Sequence, residues 1–190
     1  TPEIFELSRA IADRYIATQG DVLGSAIVTR QARTESKILS HLAVGPNPVD
    51  SNLTYSQHWN FYSNGNSFLH RLEKSETSRA ACVVGPGHDI YEMAVDAAIA
   101  ARKSSKGVIV VLPDAKEVER FLVRLHRVIP AVEIGLFGSD HKPSERYASF
   151  LNVLRGDVRI AVGTRSAVFA PVSELGLVII VDDGDDSHAE

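Results

Sequence analysis

The chain has 190 residues, 44% hydrophobic and 23% charged, which is ordinary for a globular protein and enough to bury a substantial core. Its net charge of −4 argues against non-specific coating of nucleic acid, and no apolar run reaches the roughly 18 residues a membrane helix needs. The single cysteine, Cys82, excludes an internal disulfide and a cysteine-based zinc cluster, and fits a reducing cytoplasmic setting.

The charge is unevenly distributed. Residues 1–79 are neutral in sum, and 80–101 carry Asp89, Glu92 and Asp96 with no Lys or Arg. Residues 102–165 carry an excess of five basic groups, whereas 166–190 carry six acids and no base. Fields act locally, so this basic middle and acidic end carry more meaning than the total.

In chain order, the first element is a helix. Thr1 is placed as its cap, Pro2 suits the first helical position, and Ile4, Leu7, Ile11 and Tyr15 recur at spacings of three and four. The signal fades at Gly20. So good a capping residue at position 1 suggests an excised piece rather than a natural start. Residues 45–67 have linker composition, with fourteen of twenty-three being Gly, Pro, Ser, Asn or Asp. Yet Tyr55, Trp59, Phe61 and Tyr62 lie within them and Phe68 follows, and free linkers avoid aromatics. The segment therefore reads as irregular but docked. A stacking platform for bases is the sharper alternative, and it lacks interleaved Lys or Arg between 38 and 70.

From residue 80 the pattern is regular. Strands are expected at 80–84, 108–112, 132–137, 158–162 and 175–181, and helices at 89–103, 114–128 and 143–155. The strand runs are continuously apolar, as in sheets covered on both faces, and the alternation specifies an α/β fold with a parallel sheet. In such sheets ligands sit at the carboxyl ends of the strands, so four loops compete for function.

Gly85-Pro86-Gly87-His88-Asp89 has the position of a phosphate-binding loop. A phosphate loop also needs a lysine, however, and Asp89 places negative charge where a phosphate would sit. A plain strand-to-helix turn is therefore the favoured reading of these residues alone. Asp114 is explained as a helix cap. Thr164, Arg165 and Ser166 offer a cation and two hydroxyls, a set suited to phosphate oxygens or simply to a polar loop. Asp182, Asp183, Asp185 and Asp186 could hold Mg²⁺ together with a substrate phosphate, or form an exposed acidic turn. Their glycine and following residues do not fit a calcium-binding loop.

Taken together, Gly163-Thr164-Arg165-Ser166-Ala167-Val168-Phe169-Ala170-Pro171, Leu175-Gly176-Leu177 and the apolar strand into Asp182 resemble the PriA (primosomal protein N′) family of replication-restart helicases. Val108–Pro113 resembles the strand following that family's nucleotide loop, and Ser144-Glu145-Arg146 the segment heading its next helix. Residues 1–23 resemble the end of its N-terminal DNA-binding domain. Over 26–79, where most of the family carries a winged-helix module, the resemblance is weakest.

The resemblance implies three parts. Residues 1–25 would be the tail of the DNA-binding domain and 26–79 a connector. Residues 80–190 would be the first RecA-like lobe, a P-loop NTPase type of sheet, within a longer chain. It also implies contact of Thr164, Arg165 and Ser166 with DNA phosphates. Two departures fall on ATP chemistry. The family's Gly-Lys-Thr is replaced by Gly87-His88-Asp89, and its Asp-Glu-Glu-His by Asp182-Asp183-Gly184-Asp185. Walker B chemistry needs one acid for Mg²⁺ and a second to orient water, and Gly184 cannot supply the second.

Gly85, Pro86, Gly87, His88, Asp89, Asp182 and Asp183 are therefore expected to form a degenerate nucleotide site. No catalytic residue or metal ligand is expected in this chain, and ATP with Mg²⁺ is not expected to act here. The family's zinc sites would lie beyond Glu190. The expected role is a cytoplasmic, nucleoid-associated DNA-binding protein of replication restart and primosome assembly, of the superfamily 2 helicase type, without ATPase activity. Its expected partners are branched or forked DNA and replication-restart or single-stranded-DNA-binding proteins, with no membrane. Two alternatives stand beside it: an active Mg²⁺-dependent nucleotide-hydrolysing helicase lobe or other phosphotransfer enzyme using Asp182–Asp186, and a pure protein-interaction scaffold.

Overall fold

A computed structural model describes residues 1–40, 45, 50, 52–138 and 140–188. Residues 46–49 and 51, part of the Gly/Pro/Asn-rich run, lie outside the described residues.

The centre is a parallel sheet of β1 (Gly107–Val111), β2 (Ile134–Phe137), β3 (Ile160–Gly163) and β4 (Leu175–Ile180), in the order β2-β3-β1-β4. Side chains of a strand alternate between faces, so β1 feeds two cores. Val108 and Val110 join Ala98, Ile99, Phe121 and Leu125 on one face. Ile109 and Val111 join Phe137, Val153 and Ala167 on the other. The fold is α/β, consistent with the RecA-like lobe the sequence implies.

The helices of this lobe are α5 (Ile90–Lys103), α6 (Ala115–Leu125) and α7 (Pro143–Leu154). Their starts follow from capping chemistry. The Asp89 carboxylate accepts the N–H groups of Tyr91 and Glu92, and Asp114 accepts that of Glu117. Glu145 accepts the backbone N–H of Lys142 and closes the first turn of α7. In α6, Val118, Phe121 and Leu125 face inward as their spacing predicts. In α7, Tyr147 and Leu151 do so, but Leu154 points outward and Val153 takes its place in the core. Met93 to Arg102 of α5 are all buried, because the helix is covered by the sheet on one side and by the connector on the other.

The expected strand at 80–84 is absent. Ala80 to Val84 is irregular and pairs with no strand, and Val83 is 91% exposed. The run lies along β4, with a groove of about 160 Å³ lined by both. It is tied instead to the connector: Gly85 N–H donates to the Tyr62 hydroxyl, and Val84 packs with Trp59, Leu177 and Ile179. β4 is left as an edge with Leu175, Val178 and Ile180 exposed, so its apolar run is not covered on both faces.

The connector is less irregular than its composition suggests. It carries α3 (Ala32–Leu39), a 3-10 turn (Gln57–Phe61) and α4 (Gly65–Glu73). It is docked, as its aromatics require. Trp59 is buried against Leu69, Met93 and Ala97, and its indole N–H donates to Met93 O. Ser56 donates through N–H and hydroxyl to Asp96 of α5. Gly65 allows this packing, since a Cβ there would lie 2.1 Å from Trp59 O.

At the N-terminus α1 (Pro2–Tyr15) ends in a left-handed Ile16, and a second helix, α2 (Gln19–Ala26), crosses the boundary expected at 25. Thr1 makes no side-chain capping bond. The packed stripe of α1 is Ile4, Ser8, Ile11 and Ala12, while Leu7 and Tyr15 face out. Gln19 reaches back to Phe5 O and Ser8 Oγ, so polar contacts join the two helices beside Ile4 and Ile11.

Candidate nucleotide cleft and nucleic-acid loop

The carboxyl ends of β1 and β4 open into a cleft of about 1070 Å³. Gly85, Pro86, Gly87 and His88 form one wall, and Asp182, Asp183 and Asp185 another. The two sequence segments assigned to a degenerate nucleotide site therefore do meet. Asp114 and Glu117 add further acids, and no Lys or Arg lines the cleft among the described residues.

Asp89 shows why a phosphate is poorly served. Its Oδ1 accepts N–H bonds from Tyr91 at 2.9 Å and Glu92 at 3.1 Å, the first-turn donors a phosphate would use. Its Oδ2 accepts Arg124 Nε at 2.8 Å and Nη2 at 2.7 Å. The carboxylate thus fills the anion position at the start of α5 and occupies the nearest guanidinium. Arg124 also lies over the Tyr91 ring at 5.0 Å.

His88 is held by the connector. Its Nδ1 stands 3.2 Å from Nδ1 of His58, one ring donating and the other accepting, and Phe61 and Tyr62 flank its ring. His58 Nε2 lies 3.3 Å from Glu92, which pairs in turn with Arg127. His88 is therefore a docking residue for the connector.

Asp182 follows β4 with φ at +52°, and its carbonyl accepts the N–H of Asp185. A hydrogen bond from the Ser187 side chain, followed by its N–H, holds the Asp185 carboxyl below its usual range. Among the described residues no three His, Cys, Asp or Glu side chains converge to hold a metal ion. The donor set fits neither ATP phosphates nor a caged Mg²⁺: the cation is missing on one side and a carboxylate stands in the phosphate position.

Thr164, Arg165 and Ser166 sit on the adjoining loop after β3. Gly163 makes the loop possible, because a Cβ there would lie 1.7 Å from Phe137 O. That close approach lets Thr164 N–H donate to Phe137 O at 3.1 Å. Ala167 is fully buried and anchors the 3-10 turn Arg165–Phe169. Ser166 Oγ donates weakly to Phe137 O at 3.4 Å. Arg165 is exposed, and neither its guanidinium nor the Thr164 hydroxyl has a partner among the described residues. Two of the three predicted side chains are thus open to a ligand.

Sequence spacing missed Arg124, His58 and Tyr62. Each acts on the 85–89 loop from at least 23 residues away. Only the clustering of aromatics in a linker-like segment hinted at the latter two.

No family model matches the chain. Over its whole length it is 34% identical to the probable replication restart protein PriA of Mycobacterium leprae and 38% identical to that of Mycobacterium tuberculosis. Over 57% of its length it is 30% identical to the replication restart protein PriA of Bacillus subtilis. The chain spans 29% and 28% of the two mycobacterial relatives and 13% of the Bacillus one.

Proposed function

The chain belongs along its whole length to the family of the replication restart protein PriA, and from that premise we propose that it serves replication restart as a DNA-binding lobe of the superfamily 2 helicase type that does not hydrolyse ATP. One observation carries the second half of this reading. The two segments where ATP and Mg²⁺ would bind face each other across a cleft that no Lys or Arg lines among the described residues, and Asp89 already occupies the anion position. A nucleotide would bring more negative charge into that field without a lysine to receive it.

The DNA-binding half rests on Arg165. It is exposed and without an internal partner among the described residues, on a loop stiffened by Gly163 and Ala167. Its role is to bind one backbone phosphate, with Thr164 donating a hydroxyl alongside. Such contacts position DNA without reading its sequence. Branched or forked DNA is the proposed substrate, replication-restart and single-stranded-DNA-binding proteins are the proposed partners, and the cytoplasmic nucleoid is the proposed setting.

Two measurements on the intact protein test the halves separately. With forked DNA and ATP, phosphate release stays at background; turnover abolished by Asp182→Ala would overturn the loss of ATPase activity. Arg165→Ala weakens fork binding and lowers the slope of log K against log salt by about one. An unchanged slope overturns the DNA contact.

A further inference from the structure

We propose that the nucleic-acid track runs from Arg165 sideways onto the head of α7, where Arg146 and Lys142 take further backbone phosphates. This rests on the DNA-binding reading of Arg165 and extends it to residues that reading does not include. The first observation is adjacency: Arg146 lines one small pocket together with Ser166, Phe137 and Phe169, so the α7 head and the β3 loop share a surface.

The second observation is the state of the cations. Most cations on the neighbouring helices are engaged. Arg124 binds Asp89, Arg120 binds Glu117, and Arg127 binds Glu92. Arg146, although partly buried, has no hydrogen-bond or ion-pair partner among the described residues, and the Lys142 ammonium has no ion-pair partner among them. The acids nearby in the chain are directed elsewhere: Glu145 accepts the Lys142 backbone N–H, and Asp140 lies 3.7 Å from His141. A partly desolvated guanidinium without a counter-charge gains most from an external oxyanion, and its planar fork suits a phosphate.

The third observation is the polarity of the whole sheet edge. The carboxyl ends of β1 and β4 present Asp114, Glu117, Asp182, Asp183 and Asp185, whereas those of β2 and β3 present Lys142, Arg146 and Arg165 against the two acids Asp140 and Glu145. A polyanion is attracted to one half and repelled from the other, so the acidic cleft acts as a fence that keeps the backbone over β2 and β3.

Fork-DNA binding by the intact protein across a salt series tests this, with Arg146→Ala, Arg146→Lys, Lys142→Ala, Arg165→Ala and the control Lys116→Ala. Arg146→Ala and Lys142→Ala each lower affinity uniformly across DNA sequences and reduce the salt slope by about one, while Arg146→Lys and Lys116→Ala leave the slope unchanged. If Arg165→Ala lowers the slope but Arg146→Ala and Lys142→Ala do not, the track is overturned and the Arg165 reading stands. If Arg165→Ala alone leaves the slope unchanged, the α7 contacts stand and the Arg165 reading falls. Equal losses in Arg146→Ala and Arg146→Lys would mark a packing role and overturn the phosphate contact at α7.

Discussion

Asp89 allows the sharpest test of how the turn before α5 is held. Its Oδ1 caps α5 through two N–H groups, and its Oδ2 takes two hydrogen bonds from Arg124 of α6. Loss of an N-cap costs about 1 kcal/mol, within a range of about 0.5–2. A two-bond charge pair whose side chains are 25% and 26% exposed is worth about 1 kcal/mol more. Asp89→Ala should therefore cost about 2 kcal/mol, a fall in Tm of about 4–8 °C for a unit of this size. Asp114 caps α6 through one N–H and has no ion-pair partner among the described residues, so Asp114→Ala should cost about half as much. The decisive measurement is a double-mutant cycle of Asp89→Ala with Arg124→Ala, read by urea unfolding. A coupling energy of about 1 kcal/mol is expected. A value below about 0.3 kcal/mol, the range of independent sites, would refute the claim that Asp89 fills an anion site shared with Arg124.

Burial pushes the Asp96 carboxyl up from its usual range, against the lowering effect of its Ser56 hydrogen bonds. A folded-state value above the unfolded one means that protonation favours the fold, so this site adds stability as pH falls toward the unfolded carboxyl range and loses it as pH rises. Asp96→Asn keeps an acceptor for Ser56 and should match the parent protein at neutral pH without that acid gain, whereas Asp96→Ala should be clearly weaker; urea midpoints across pH 4–7 separate the two, and equal losses would refute the argument. Trp59→Ala should cost about 3–5 kcal/mol and expose the connector, seen as faster proteolytic cleavage near residues 52–73. Unchanged cleavage would mean that Trp59 does not hold the connector on α5.

Much of the lobe was legible because its signals are local. Val108 to Val111, Val118 with Phe121 and Leu125, and the cap Asp114 each identify an element within a few residues, whereas the capping role of Asp89 is shown by the structure. The absence of Lys and Arg from 80–101 and the Gly163-Thr164-Arg165-Ser166 loop are equally visible in one dimension. The α1 stripe was half legible: Ile4 and Ile11 lie on the packed face, whereas Leu7 and Tyr15 face out and the buried Ser8 and Ala12 take their place, because large apolar residues mark a face only when that face meets a partner. In α7 the apolar spacing places Leu154 inward beside Leu151, but Val153 is buried and Leu154 exposed, because the helix packs against the sheet through a slightly rotated face.

The chain by itself determined an α/β lobe, a Gly85-Pro86-Gly87-His88-Asp89 turn without a lysine, and a cation-bearing loop after β3. Tertiary structure alone decided that Ala80–Val84 stays unpaired and that β4 remains an edge. It also decided that Arg124 completes the Asp89 site and that the edge divides into an acidic and a basic half. The physical reason is range: helix periodicity and capping are settled over three or four residues. Strand pairing, guanidinium partners and surface fields depend on groups that only the folded chain brings together.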